Sequence, residues 1–302
     1  MLKNARIKNK YYFYYILKIT WKYIKRILSY LSYIRYFIIR PRLKPSKNFI
    51  PITVSFTTYP ARVKWLPIIV GSIVRQSRQP NRIVLYLSKK QFVNTDYPEL
   101  KMIEKQGVEL KLVDGDLRSH KKYFYALREY PEDIVITIDD DIIYEKNLVE
   151  DLYQSYLRHP SAVSAKRVHK MTFNMNKKPN MYREWKIATR ELIDIESYRL
   201  MATGCGGVLY PPHCLDERVC DAAVISSTCL YADDLWLKIM ELLRATPVVL
   251  AKARSYKLKH VWNTECEGLA LENVGNRGND YQLESICNYY NIDLFSLIRQ
   301  YE

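Results

Sequence analysis

A run of β-branched residues, Ile134-Val135-Ile136-Thr137-Ile138, leads straight into Asp139-Asp140-Asp141 and out through Ile142-Ile143-Tyr144. The first run has the length and composition of a strand buried on both faces. A solvated surface turn would leave the apolar flanks on both sides without a reason. The spacing therefore puts the three carboxylates at the carboxyl edge of a central strand, where open α/β sheets hold their ligand crevice. Three adjacent anions repel one another, and without a nearby cation some would protonate. A hard divalent metal carrying a phosphate ligand removes that conflict.

The surrounding sequence predicts strand and helix in alternation. Strands are expected over 50–56, 82–87, 109–113 and 134–138, and helices over 63–76, 99–105, 121–130 and 146–158. That order argues an α/β fold of the Rossmann-like kind, a mixed and mostly parallel sheet flanked by helices. No internal repeat is visible. The second half is less regular. A strand is expected over 161–168 and a polar, mobile loop over 170–180. Three glycines in four residues, Gly204, Gly206 and Gly207, precede Val208-Leu209-Tyr210 and permit close backbone approach to a ligand or to another strand. The spacing lacks the trailing Gly-Lys-Ser/Thr of a phosphate-binding Walker loop. Asp233 and Asp234 open an apolar periodic run over 235–243, which places them at a helix N-terminus.

Charge divides the chain. Residues 1–95 hold 20 Lys and Arg and no acid; the totals of 47 and 32 then leave 27 basic and 32 acidic residues after position 95. The front carries +20 and the remainder −5, which points to an anionic partner for the front. Residues 11–39 contain no uncharged run near the roughly 20 residues a spanning helix needs, and no signal-peptide pattern. At 100° per residue Phe13, Ile16, Ile24, Ile27, Leu31, Ile34 and Ile38 share one arc, and Lys18, Lys22, Lys25 and Arg26 lie opposite. Arg35 falls near the apolar arc, where a long side chain can snorkel. Trp21 and eight tyrosines between 11 and 36 suit a headgroup interface. Residues 1–45 are expected to form a basic amphipathic helix and linker on an anionic membrane surface, and 46–302 a single catalytic domain. The other reading of 11–39 packs the helix on the protein's own body. No nucleic-acid module accompanies the basic segment, so nucleic acid is not the expected partner. The six cysteines lack metal-ligand spacing and read as reduced thiols, which favours the cytoplasm or the cytoplasmic face of the cell membrane.

Four blocks in order resemble bacterial nucleotide-sugar-dependent glycosyltransferases of the GT-A fold, the family-2-like, surface-polysaccharide type. They are Val54-Ser55-Phe56-Thr57-Thr58-Tyr59-Pro60-Ala61-Arg62, Arg118-Ser119-His120-Lys121-Lys122-Tyr123, the aspartate triplet, and Gly204-Cys205-Gly206-Gly207-Val208-Leu209-Tyr210-Pro211-Pro212 with Ala232-Asp233-Asp234-Leu235-Trp236. The resemblance spans roughly 50–285 and leaves the basic front outside.

It implies that Asp139 and Asp141 hold a divalent metal, Mn²⁺ or Mg²⁺, on the donor diphosphate, with Asp140 near the donor sugar or ribose. It implies nucleotide-sugar contacts from Thr58, Tyr59 and Arg62, from Lys121 and Lys122, and from Gly206 and Gly207. Inverting relatives use a carboxylate base at the start of a later helix, which points to Asp234, with Asp233 as the second choice; Ala232-Asp233-Asp234 departs from the commoner Glu-Asp form. His260 is a third metal ligand by the same analogy. Arg277-Gly278-Asn279-Asp280 is either a loop closing over the donor or a plain turn.

The expected activity is transfer of a sugar from a metal-bound nucleotide-sugar to a saccharide or lipid-linked acceptor in cell-surface glycan synthesis, with inversion. A metal-dependent phosphoryl-transfer enzyme and a non-catalytic basic adaptor for membrane or nucleic acid are the alternatives.

Overall fold

The computed structural model describes residues 41–46, 49–261 and 277–302, with the single helical positions Leu17, Ile19, Thr20, Trp21, Tyr23, Ile24, Ile27 and Leu31. The other members of the amphipathic front, together with Trp262 and Cys266, lie outside the described residues. Among those described, no helix is long and apolar enough to cross a membrane.

Eight strands form one sheet in the order β3-β2-β1-β4-β9-β5-β10-β7. They are β1 (Ile52–Thr57), β2 (Arg82–Ser88), β3 (Val108–Val113), β4 (Ile134–Thr137), β5 (Val163–Ala165), β7 (Glu196–Ser197), β9 (Val208–Tyr210) and β10 (Val248–Leu250). Strands β9 and β7 run against the other six. The expected mixed, mostly parallel α/β sheet is therefore the observed one. Two short strands, β6 (Val168–Lys170) and β8 (Leu200–Ala202), pair separately.

Burial explains why the strand signals were strong. Ile83, Leu85 and Leu87 of β2 face one hydrophobic cluster, while Val84 and Tyr86 face another on the opposite side. Strand β4 divides in the same way, with Ile134 and Ile136 on one side and Val135 on the other. Helices α1 (Leu66–Ile73), α2 (Pro98–Lys105) and α4 (Leu148–Arg158) supply residues to one cluster. Helices α3 (Lys121–Glu129), α5 (Ala222–Thr228), α6 (Asp233–Leu243), α7 (Gly278–Tyr290) and α8 (Leu294–Tyr301) supply the cluster that contains Trp236, Tyr123 and Tyr210.

The strand order sets the site. The chain moves outward from β1 through β2 to β3, then crosses back so that β4 lies on the other side of β1. After β1 the chain runs toward one end of the sheet and after β4 toward the other, so their adjacent carboxyl ends form the switch point where open α/β sheets hold ligands. Strand β9 runs antiparallel to β4, with Val208 opposite Thr137. The glycine turn feeding β9 is thereby delivered to the same edge.

Three expectations change. The stretch 161–168 is not one strand: β5 belongs to the main sheet and β6 to the small one, with Lys166 and Arg167 at the break. The polar segment 170–180, expected as a loop, is folded on itself as a hydrogen-bonded turn. Asn174 Oδ1 accepts from the Asn176 and Lys178 N–H groups, and Asn180 N–H donates to Thr172 O. The helix expected over 63–76 starts as a 3-10 turn, Pro60–Trp65, before α1; Pro67 lacks an N–H and is tolerated in the first turn.

Candidate active site

Two connections meet at the crevice. Thr58 and Arg62 follow β1, and Asp139, Asp140 and Asp141 follow β4. Arg62 Nη1 lies 2.6 Å from Asp140 Oδ1 and 3.2 Å from Asp141 Oδ2. Thr58 donates its hydroxyl to Asp140 Oδ2 at 2.5 Å. Asp140 is buried and both its oxygens are held by protein groups, so it anchors the Arg62 side chain. Tyr59 supports Arg62 from outside, its ring centroid 5.3 Å from the guanidinium carbon.

Lys122, in the first turn of α3, crosses from the triplet to α6. Its Nζ lies 2.7 Å from Asp139 Oδ1 and 2.9 Å from Asp233 Oδ2. The main chain at this point is pinned by Ser55 of β1, which donates its hydroxyl to Lys122 O. Lys121 turns elsewhere, to an ion pair with Asp116. The two adjacent lysines thus have different surroundings, and only Lys122 joins the carboxylates.

Asp233 and Asp234 occupy the first turn of α6. Asp233 is buried, which opposes its charged form, but Lys122, His120 and a hydrogen bond from Ser119 together hold its carboxyl below the usual range. Asp234 is half-buried, and its Oδ1 accepts from the Gly204 N–H at 2.9 Å. Burial and then the neighbouring Asp233 charge push Asp234 up to about 8. Asp141 is likewise raised, to about 7, by burial and by the charge of Asp139. For Lys122 burial opposes the charged form, but Asp139, Asp233 and Asp234 together hold its pKa well above normal.

Charge counting gives the reason for these shifts. Fully ionised, five aspartates (139, 140, 141, 233, 234) face two cations (Arg62, Lys122), a net charge of −3. In a partly dry cleft such an excess must be met by protonation or by another cation. Asp139 and Asp141 offer hard oxygen donors with side chains 30% and 17% exposed, so the donor set fits a hard divalent ion. Among the described residues no group of three or more His, Cys, Asp and Glu converges in metal-holding geometry. His260 lies alongside the triplet through its main chain, bridging to Ile142, and is exposed, but it does not join Asp139 and Asp141 in such a group.

The glycine turn divides its roles. A Cβ on Gly204 would come within 2.6 Å of Lys122 Nζ, 3.3 Å of Asp234 Oδ1 and 3.4 Å of Asp139 Oδ1. Gly204 is therefore the glycine that borders the carboxylates, where the resemblance pointed to Gly206 and Gly207. Gly206 instead lets the turn lie on Arg167, where a Cβ would meet the Arg167 Cβ at 2.6 Å. Gly207 adopts φ +85° against Leu148. Gly206 and Gly207 shape the turn, and Gly204 faces Lys122, Asp139 and Asp234.

Tyr144 is a second residue the sequence reading missed. Its hydroxyl accepts from the Asp139 N–H at 2.8 Å and donates to Cys205 O at 3.3 Å, tying the triplet to the glycine turn. A phenol at the end of an apolar run was the available signal, since a buried tyrosine hydroxyl needs partners. Arg277 to Asp280 prove to be neither a donor loop nor a plain turn: Gly278 opens α7, and Asp280 Oδ1 accepts from the Tyr182 N–H at 2.7 Å. The five described cysteines are free thiols.

No family model matches the chain, and no curated protein matches it. Among solved structures, the crystal structure of S. aureus TarS residues 1–349 is similar with a TM-score of 0.39 and 14% identity. The match covers 68% of this chain and 59% of that one, so this chain spans less than two thirds of the neighbour's length.

Proposed function

We propose that the protein is a GT-A-type glycosyltransferase that moves a sugar, with inversion, from a metal-bound nucleotide-sugar to a saccharide or lipid-linked acceptor. One observation carries the reading. Lys122 bridges Asp139 of the triplet to Asp233 at the start of α6, which sets a donor-binding edge and a candidate base on the two sides of one cleft. Asp139 and Asp141 are the residues that would hold the divalent ion, which would neutralise the departing nucleoside diphosphate. Arg62 and Lys122 present cations to phosphate oxygens from the same edge, and exchange their carboxylate partners for them. Asp234 is the acceptor-side base, because Asp233 is committed to Lys122 while Asp234 remains half-open. A base is needed because a protonated hydroxyl is a poor nucleophile. Attack on the face opposite the leaving diphosphate inverts the anomeric carbon.

Release of nucleoside diphosphate from a panel of nucleotide-sugars, with Mn²⁺ or Mg²⁺, tests the reading. A donor should be consumed only with divalent metal, and Asp141→Ala should lose about 10²-fold or more in rate, the loss expected for one electrostatic contact to the developing charge. Full activity in Asp141→Ala, or release of inorganic phosphate in place of nucleoside diphosphate, contradicts it.

The basic front would seat this site on the cytoplasmic face of an anionic membrane. At the described positions of its apolar arc, Ile24, Ile27 and Leu31 are 39%, 57% and 54% exposed. An apolar stripe left open beside an excess of basic residues suits a headgroup interface better than a helix packed on the body. The full chain should float with vesicles containing anionic phosphatidylserine, and a chain starting at residue 46 should not. Equal flotation of the two removes the membrane role.

A further inference from the structure

The glycine turn that borders the carboxylates has a second side. Thr203 N–H donates to Arg167 O at 3.0 Å, and Lys166 N–H donates to Gly207 O at 3.2 Å. The Lys166-Arg167 break between β5 and β6 is thus bonded along the turn, and Gly206 permits its close approach. The Arg167 guanidinium is brought beside the turn, half-buried, with no carboxylate within 4.0 Å among the described residues. Its Nη1 donates to Thr203 Oγ1 at 3.0 Å and approaches Cys205 Sγ at 3.7 Å.

His169 completes the arrangement. It is 3% exposed, and its Nδ1 accepts from the Ala188 N–H at 2.9 Å. Burial and the Arg167 charge push its pKa down to about 4, so the ring is neutral at ordinary pH. With Nδ1 accepting, the single ring proton sits on Nε2. That Nε2–H lies 3.4 Å from Arg167 Nη1, a donor opposed to a donor, and the Val168 backbone also comes within hydrogen-bonding reach of the ring. Arg167 Nη1 already donates to Thr203 Oγ1, so the His169 Nε2–H is the donor that faces a cation instead of an acceptor, and an anionic oxygen set beside the two would suit both. Tyr182 closes the far side, its ring 5.7 Å from the His169 ring. The Asp234 charge also acts on the Tyr182 hydroxyl, so this pocket and the candidate base share a neighbourhood.

The geometry points to an anion-recognition subsite formed by Arg167 and the His169 Nε2–H, beside Asp234, that takes a carboxylate or phosphoryl oxygen carried by one of the two substrates. Assigning that group to a glycosyl acceptor or donor rests on the glycosyl-transfer reading above; the anion site itself does not. A charge-assisted contact to a half-buried guanidinium would select an anionic saccharide over a neutral one of equal size.

The test uses the full chain and needs no turnover. Inorganic phosphate is titrated while the side-chain nitrogen resonances of the histidines are followed, with His169 assigned by His169→Asn. Phosphate should shift His169 Nε2 in a saturable way. Arg167→Met, which keeps the stem packed on Gly206, should weaken the response about tenfold or more, and Arg167→Lys should restore part of it. A His169 signal indifferent to phosphate, or an equal response in Arg167→Met, overturns the site. Two further arms locate the anion. If Arg167→Met weakens binding of a nucleotide-linked uronic acid but not of its neutral counterpart, the group belongs to the donor. If it weakens binding of a nucleotide-free sugar phosphate and leaves both nucleotide-sugars unchanged, the group belongs to the acceptor. Loss in neither arm also overturns the proposal. Failure of nucleoside diphosphate release would sink the catalytic reading and leave the His169 titration unaffected.

Discussion

Lys122→Met should destabilise the fold by about 3–5 kcal/mol at pH 8, the cost of leaving buried charge without its partner. The side chain is 4% exposed and bridges Asp139 at 2.7 Å to Asp233 at 2.9 Å. Methionine fills much of the same volume, so the loss is electrostatic rather than a cavity effect. The pH dependence identifies the cause. In the wild type burial opposes the Asp233 charge, and Lys122, the main opposing group, together with His120 and Ser119 holds its pKa below the unfolded value. A depressed carboxylate contributes stability that is present above the unfolded pKa and lost as pH falls through the folded one. Without Lys122, burial and Asp234 push Asp233 upward instead. A raised carboxylate contributes stability present below the unfolded pKa, near 4, and lost as pH rises through the folded value. The difference between variant and wild type should therefore widen from pH 4 toward pH 8. Urea unfolding at both values checks this; a constant difference would assign Lys122 to packing.

Asp234→Asn should lower glycosyl transfer by about 10²- to 10⁴-fold, the usual contribution of a positioned base, while the protein stays folded. Asparagine keeps an oxygen to accept from Gly204 N–H, the contact now made at 2.9 Å. The carboxyl of Asp234 is raised to about 8 by burial and by Asp233, so in the wild type it contributes stability that is lost as pH rises between about 4 and 8. The variant lacks that loss. Its melting temperature should gain on the wild type as pH rises across this window, even as its activity falls. A transfer rate within a few-fold of wild type would remove Asp234 as base, and a melting temperature lagging the wild type at pH 8 would refute the buried-charge account. The same pKa raises a point about catalysis. A base protonated at neutral pH does not accept a proton, so the rate should rise with pH until Asp234 is ionised.

The parts of the fold legible in the sequence are those governed by local pattern. Strands β1, β2 and β4 announced themselves because parallel strands buried on both faces read as continuous apolar runs, while the edge strand β3 alternates apolar and charged residues and is partly exposed. The short strands β5 to β10 carry two or three residues each, too few for any periodicity to register. The stretch 161–168 illustrates the limit. Its composition suits one strand, yet β5 and β6 join different sheets, a division imposed by the partners β9, β10 and β8.

The site divides in the same way. The aspartate triplet and the Asp233-Asp234 pair stand out as acids at element boundaries, which is a local property. That Lys122 rather than Lys121 joins them depends on which way the first turn of α3 faces when Ser55 pins it to β1. That Gly204 rather than Gly206 meets the carboxylates depends on the antiparallel register of β9 against β4. Arg167 and His169 gave no signal, because an arginine two residues before a histidine acquires meaning only when Ala188 N–H occupies one ring nitrogen and the other faces the guanidinium.

By itself, then, the order of residues determined where acids, glycines and buried strands fall along the chain, since hydrophobic period and side-chain chemistry are read over a few neighbours. Tertiary structure alone decided which of them face one another. Residues 62, 122, 139, 204 and 234 are far apart along the chain, and the crossover between β3 and β4 and the reversed strand β9 bring them within reach of each other.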